Sequence, residues 1–316
     1  MACIIASTSS NSGKTFLSIL LASWGQTIGR KIQTFKVGPD YLDSQHLSAI
    51  TNIPCRNLDL ILCKKDWVEN NFNKYSSIAD FVLVEGVMGL FDGIGNTESG
   101  STADVAKHLG LPIVLTVDSQ GQAASLAPLV KGFRDHDTEI EIAGVVVNNV
   151  NSSRHKDLLE DVLSRINIKL LGCLPRKSLL SITNKNLGLT PPHEIDNMPK
   201  LIQEWADMAK NNLDLRKFES LMQAPRESKL ILKDNIYLNK RLDKKRNYPI
   251  AIAKDKAFHF HYPETTEVLE QMGMPILEWR PTEDETIPLE AKGLIIPGGF
   301  PEEYAKELST CKNTFK

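Results

Sequence analysis

The first 24 residues constrain the fold of this chain most. An apolar run, Met1-Ala-Cys-Ile-Ile-Ala6, leads into Ser7-Thr-Ser-Ser-Asn-Ser-Gly-Lys-Thr15, and a second apolar run follows from Phe16 to Trp24. The order reads as a buried strand, a loop of small residues and a helix, which is the layout of a phosphate-binding loop. N–H groups at a helix N-terminus favour anionic oxygens, a lysine at Lys14 reaches outer phosphates, and a hydroxyl at Thr15 can ligate Mg²⁺. Ser10, Asn11, Ser12 and Gly13 are the remaining loop candidates. The match to G-x-x-x-x-G-K-[ST] is imperfect, because its first glycine falls at Thr8. A Gly-Lys-Thr triplet alone says little. The strand before it and the helix after it carry the inference.

The pattern then repeats. Strand-like apolar runs at Cys3–Ala6, Ile32–Val37, Phe81–Glu85, Ile113–Val117, Ile142–Asn148 and Lys169–Gly172 alternate with helical patterns. Those patterns lie at Lys14–Ile28, Asp66–Tyr75, Thr102–Leu109, Gln122–Asp135 and Ser153–Ile166. Continuous apolar strands separated by helices predict an α/β domain, a parallel sheet covered on both faces. An amphipathic segment at Pro199–Asn211 closes it, giving a first domain over 1–213. Residues 214–246 turn to Lys, Arg, Asp and Asn, with a basic run from Lys240 to Arg246, and read as a linker with one surface helix. A second α/β unit starts near 247, with strands at Ile250–Ala253, Pro275–Trp279 and Gly293–Ile296 and a helix at Pro263–Met272. With exposed strand edges and little buried area, this unit reads as an incomplete domain at the end of a truncated chain.

Composition narrows the function classes. A formal charge of −2 gives no reason to expect nucleic acid or an anionic membrane as partner. No apolar run approaches the roughly 20 residues needed to cross a bilayer. The N-terminus has no signal-peptide pattern, so a cytoplasmic protein is expected. Cys3, Cys55, Cys63, Cys173 and Cys311 are scattered with no C-x-x-C pair, which argues against disulfides and structural zinc.

Three strand ends gather chemistry near the loop. Glu85 closes the apolar Phe81–Glu85 run, at the sheet edge where ligands bind in open α/β folds, and is suited to hold Mg²⁺. Lys36-Val-Gly-Pro-Asp-Tyr-Leu-Asp43 turns at Gly38-Pro39 and displays Asp40, Tyr41 and Asp43 over the same edge. Asn148, at the end of another strand, can recognise a purine edge, although asparagine is equally common as a strand terminator. In phosphoryl transfer such parts form a phosphate clamp, a metal holder and a substrate positioner.

Taken together, these residues closely resemble the cobyrinic acid a,c-diamide synthase family of cobalamin biosynthesis. The matching stretches include Ser9–Thr15, Phe35–Asp43, Val84–Gly93, Asp104–Lys107, Ser125–Phe133, Asn186–Leu189, Ala257–Glu264 and Pro297–Glu302. The Val-Gly-Pro-Asp-Tyr and Glu-Gly-Val-Met-Gly blocks are the most specific. The resemblance implies a ligase with a P-loop NTPase-like synthetase domain, similar to dethiobiotin synthetase, joined to a class I, triad-type glutamine amidotransferase domain.

By that resemblance, ATP phosphorylates the a and c acetate carboxylates of a corrinoid in turn, and ammonia from glutamine displaces each phosphate. ATP and Mg²⁺ are the implied cofactors, and the resemblance leaves a homodimer open. Lys14 and Thr15 are implied as ATP and Mg²⁺ contacts, with Asp40 and Glu85 as further metal holders. Asp40, Glu85 and Asp92 are the implied catalytic carboxylates, and Tyr41 and Leu42 belong to the loop that positions the reacting carboxylate. Gly298 and Gly299 match the glutaminase turn at the oxyanion hole.

Three departures qualify the match. Asn11 stands where the family has glycine, keeping a residue tolerant of unusual φ. Lys185-Asn186 replaces Arg-His. The glutaminase cysteine and histidine are expected beyond Lys316, so no nucleophile is assigned and that half is expected to be inactive. Cys311 lacks the Cys-Gly-Gly setting and reads as a bystander. Two alternatives remain: the sister activity on nickel-sirohydrochlorin and, more remotely, a partitioning-type nucleotide-switch ATPase.

Overall fold

A strand buried on both faces sends alternate side chains into two separate cores. The computed structural model shows this arrangement; it describes residues 2–176, 190–225 and 247–314, and the backbone alone at 184–185 and 188–189. The chain divides into two compact units, Met1–Leu232 and Lys233–Lys316.

The first unit is built on seven parallel strands: β1 (Cys3–Ser7), β2 (Ile32–Val37), β3 (Arg56–Leu58), β4 (Phe81–Glu85), β5 (Ile113–Asp118), β6 (Ile142–Val150) and β7 (Leu170–Pro175). Their order is β3-β2-β4-β1-β5-β6-β7. Ile4 of β1, Val82 and Val84 of β4 and Leu115 of β5 enter one core. Cys3 and Ile5, Phe81 and Leu83, and Val114 enter the other. Four helices supply the first core: α3 (Lys65–Ser76), α4 (Thr102–Leu109), α5 (Leu126–His136) and α6 (Ser153–Ser164). The second is closed by α1 (Lys14–Thr27), α2 (Leu42–Thr51), α7 (Met198–Asn212) and α8 (Leu215–Met222). Because α7 packs on the outer side of α1, α1 buries side chains around most of its circumference.

The predicted parallel sheet with helices on both faces is present, and three elements differ in detail. The α2 helix and the three-residue β3 go beyond the expected elements. β3 is a polar edge strand, with the Arg56 guanidinium 3.8 Å from the Tyr75 ring centre. The first unit also continues past the expected boundary at 213. Helix α8 is no loose surface helix: Phe218, Leu221 and Met222 are buried in the second core. Asp214 caps it by accepting from the Lys217 N–H, and Gln223 bridges to Phe81. The rest of the expected linker, 226–246, and Asn186 of the Lys185-Asn186 departure lie outside the described residues. A short antiparallel pair, β8 (Asn184–Lys185) and β9 (Gly188–Leu189), follows β7.

The second unit has three parallel strands, β10 (Ile250–Ala253), β11 (Ile276–Trp279) and β12 (Gly293–Ile295), in the order β11-β10-β12, with α9 (Pro263–Gln271) between the first two in sequence. Within it the Phe300 N–H donates to the Ala257 carbonyl and the Phe260 N–H to the Gly298 carbonyl, both at 3.0 Å. A Cβ at Gly299 would lie 2.0 Å from that Ala257 oxygen, so the turn accepts only glycine there.

Candidate active site

The order of the sheet places β1 between β4 and β5, so the connection from β1 to β2 runs to one side of β1 and the connection from β4 to β5 crosses to the other. In open α/β sheets the crevice at such a switch, at the carboxyl ends of the strands, takes ligands. Every residue of the first unit's site comes from that edge.

The phosphate loop follows β1. Gly13 caps α1 in the left-handed region at φ 107°, and Asn11 is also left-handed at φ 63°. No side chain caps the helix, which leaves its first N–H groups for an anion. A Cβ at Gly13 would come within 2.5 Å of the Asn148 amide nitrogen, so only glycine lets β6 and the loop approach. The Ser9 and Ser12 hydroxyls are 2.9 Å apart, while Ser10 and Asn11 are exposed.

Lys14 is nearly buried and donates to Ser7 Oγ at 2.9 Å and to the Met88 carbonyl at 2.6 Å. Burial, and then the charge of Lys36, lower its pKa. Asp92 also acts on Lys14 through its charge, and its Oδ2 accepts from the Gly89 N–H at 2.8 Å, closing the turn after β4.

Beside the loop lies a buried ionic cluster. The register of β2 against β4 sets Lys36 opposite Glu85. Lys36 Nζ meets Asp43 Oδ2 at 2.8 Å, Glu85 Oε1 at 2.9 Å, the Gly86 carbonyl at 3.0 Å and Asp40 Oδ2 at 3.6 Å. Thr15 Oγ1 reaches the same two oxygens, Glu85 Oε1 at 2.7 Å and Asp43 Oδ2 at 3.1 Å. Burial pushes the Glu85 carboxyl up to about 7 against the pull of Lys36. Asp43 is only partly buried, and against that burial the Lys36 ammonium holds it down to about 2. For Lys36 itself, burial is outweighed by the carboxylates of Glu85, Asp43 and Asp40, and its pKa rises. Burial raises that of Asp40.

Asp40 also holds the entrance to α2, where its Oδ1 accepts from the Asp43 N–H at 3.1 Å. Tyr41 and Leu42 sit at the first turn of that helix, partly exposed. Lys14, Thr15, Asp40, Glu85 and Asp92 are therefore brought to one edge. Asn148 arrives there with its amide engaged, donating to the Ser12 carbonyl at 3.2 Å and accepting from the Asn149 N–H at 2.9 Å. Gly298 and Gly299 belong to the second unit. Cys311 is buried, with Sγ 3.4 Å from the Glu307 carbonyl.

Sequence patterns miss Lys36 and Ser7 as site residues and mark Asp43 only as a displayed carboxylate. The available signal for Lys36 is a lone lysine inside the apolar run Ile32–Val37.

Glu85 tests whether Mg²⁺ fits. Its side chain is fully buried, and Oε2 has no hydrogen-bond partner. An orphaned anionic oxygen beside a threonine hydroxyl suits a hard cation. Among the described residues no three His, Cys, Asp or Glu side chains form a metal cage by themselves. Mg²⁺ commonly completes its shell with waters and substrate phosphates instead. No helix of the described residues is long and apolar enough to cross a membrane.

The family described as the CobQ/CobB/MinD/ParA nucleotide binding domain matches residues 3–187. A cobyrinate a,c-diamide synthase of a Synechococcus species is 38% identical over 98% of this chain and 67% of its own length. The enzyme of the same name from Caldanaerobacter subterraneus is 38% identical over 97% of this chain and 66% of its own. Among solved structures, the septum site-determining protein MinD with Mg-ADP from Pyrococcus horikoshii covers 70% of this chain and 94% of its own, at 14% identity and a TM-score of 0.41. The chain thus spans about two thirds of the length of the curated relatives it matches. It belongs to the cobyrinate a,c-diamide synthase family.

Proposed function

We propose that the first unit binds Mg-ATP and activates acetate carboxylates of cobyrinic acid for amidation. The observation that carries this reading is the shared edge: the phosphate lysine and Thr15 stand beside a buried Lys36–Asp43–Glu85 cluster with a free Glu85 oxygen. A carboxylate is a poor acyl donor until one of its oxygens becomes a phosphate leaving group, and the γ-phosphoryl group of bound ATP supplies that phosphate. Ammonia then attacks the acyl carbon, the C–O bond to phosphate breaks, and amide and inorganic phosphate leave.

The residues of this chain bring like charges together. Lys14, lifted from the Met88 carbonyl, meets the outer phosphates, and Mg²⁺ would be held by Thr15 and Glu85, with Asp40 nearby. Lys36 keeps Asp43 and Glu85 in place from below. Asn148 braces the phosphate loop through Ser12, and Asp92 sets the turn that carries the Met88 carbonyl. Tyr41 and Leu42 position the reacting carboxylate. In the second unit, the Gly298–Gly299 turn is the position that matches a glutaminase oxyanion hole, with backbone N–H groups as its donors.

The test is to incubate the chain with cobyrinic acid, Mg-ATP and either ammonium or glutamine, with nickel-sirohydrochlorin in parallel. ADP and amidated product from cobyrinic acid support the proposal. Product from nickel-sirohydrochlorin alone reassigns the substrate, and ADP release indifferent to either tetrapyrrole rejects a carboxylate-activating role.

A further inference from the structure

Seven large apolar side chains are exposed among the described residues of the first unit. Four of them, Ile61, Leu62, Met88 and Ile94, lie on the loops that leave the carboxyl ends of β3 and β4, on the same edge as the carboxylate cluster. Leu62 is 72% exposed and Ile94 55%. A soluble surface more often scatters such residues singly, and a cluster beside a polar site marks a binding surface.

The loops are built to hold these side chains out. Asp59 Oδ1 accepts from the Ile61 and Leu62 N–H groups, both at 2.8 Å, which fixes the turn that presents them. Met88 takes the left-handed region at φ 47°, an uncommon conformation for a residue with a Cβ. That turn aims its carbonyl at Lys14 and leaves its side chain 43% exposed. The loop after Ile94 folds back, with the Ile94 N–H on the Ser99 carbonyl at 3.1 Å. It then closes on Ile61 at Gly100, where a Cβ would fall 2.6 Å from Ile61 Cγ1.

Charge completes the arrangement. Lys64 and Lys65 follow Leu62 by two and three residues, both exposed, and neither joins an ion pair among the described residues.

We propose that Ile61, Leu62, Met88 and Ile94 seat the apolar face of the macrocycle, with Lys64 and Lys65 meeting its peripheral carboxylates. The inference rests on the proposed corrinoid substrate and assigns the residues that select it. Neighbouring strands lie about 4.8 Å apart, so the loops after β3, β2 and β4 span about 10 Å, the breadth of a tetrapyrrole ring. Asp40, in the turn after β2, and Glu85, at the end of β4, then lie under one side of the ring, where an acetate arm reaches them. An apolar seat with cationic flanks fits a planar polycarboxylate. A small aliphatic diacid would leave the apolar residues uncovered.

The experiment is equilibrium dialysis of cobyrinic acid against the full chain in the presence of Mg-ADP, with bound corrinoid read from its visible absorbance. Leu62→Asp and Ile94→Asp, both on exposed loops, should each weaken corrinoid binding by about tenfold or more. Paired Lys64→Glu and Lys65→Glu should weaken it most at low salt and less as salt rises. ADP affinity should stay at the wild-type value in all three. Wild-type corrinoid affinity in every variant overturns the seat while leaving the proposed function standing. A wild-type chain that retains no corrinoid overturns both.

Discussion

At the residue scale, the site is a problem of buried charge. Breaking a buried ion pair leaves an uncompensated charge, which is why Lys36, Asp43 and Glu85 form one cluster and not separate pairs. Two buried groups make the cost visible in opposite directions. Burial lowers the pKa of His46 from 6.5 to about 4. Between those values the unfolded chain binds more protons, so this contribution is full above pH 6.5 and lost as pH falls to 4. It amounts to about 3 kcal/mol. Glu85, raised from 4.5 to about 7, has the opposite sign: the folded chain holds the extra proton, and stability rises as pH falls through that window. In metal-free buffer, urea midpoints of the wild-type chain should therefore change little between pH 6.5 and 4.5. Glu85→Gln should expose the loss toward acid, and His46→Gln the gain. Parallel profiles for the two variants would contradict these assignments.

Lys14, Thr15, Asp40 and Glu85 are legible in the sequence because each sits in a motif whose chemistry is local. Lys36 is not, because a lysine in an apolar run means little until the β2–β4 register sets it opposite Glu85. Asn148 shows the reverse: its place at a strand end is readable, whereas its bond to Ser12 depends on how closely β6 approaches Gly13.

At the element scale, α8 is the clearest difference from the expected layout. Its eight residues follow a helix that already looks like a domain end, and their neighbours are charged. Local composition therefore reads as linker. The hydrophobic positions Phe218, Leu221 and Met222 gain their meaning from the core they close, which contains Phe81 and Leu83 of β4. Removing a buried phenylalanine costs both its transfer free energy and the cavity left behind. Phe218→Ala should lower unfolding free energy by about 3–5 kcal/mol in urea denaturation. A loss below about 1 kcal/mol, the range of ordinary surface substitutions, would return α8 to the linker. The edge strand β3 escapes sequence reading for a related reason, since three residues carry no usable period.

At the scale of the whole molecule, the candidate ligand site of the first unit is made by convergence of loops after β1, β2, β4 and β6. A ligand that bridges them stabilises only the folded arrangement. At a hundredfold excess over its dissociation constant, a ligand specific to the native state contributes about 2.7 kcal/mol. For a unit of this size, that should raise the thermal midpoint of Met1–Leu232 by about 5–10 °C with Mg-ATP. ATP with chelator should give less, because the orphaned Glu85 oxygen then has no cation to meet. An unchanged midpoint in Mg-ATP would remove the nucleotide from this site.

The sequence by itself determined the strand–loop–helix opening, the parallel α/β class and the family, because these rest on periodicity and on motifs continuous in the chain. Only the tertiary structure decided the strand order, the place of α8, the Lys36 cluster and the apolar group beside it. Each of those depends on which residues far apart in sequence become neighbours. Pairing register and two-sided burial set such neighbours, and neither is written in any one segment.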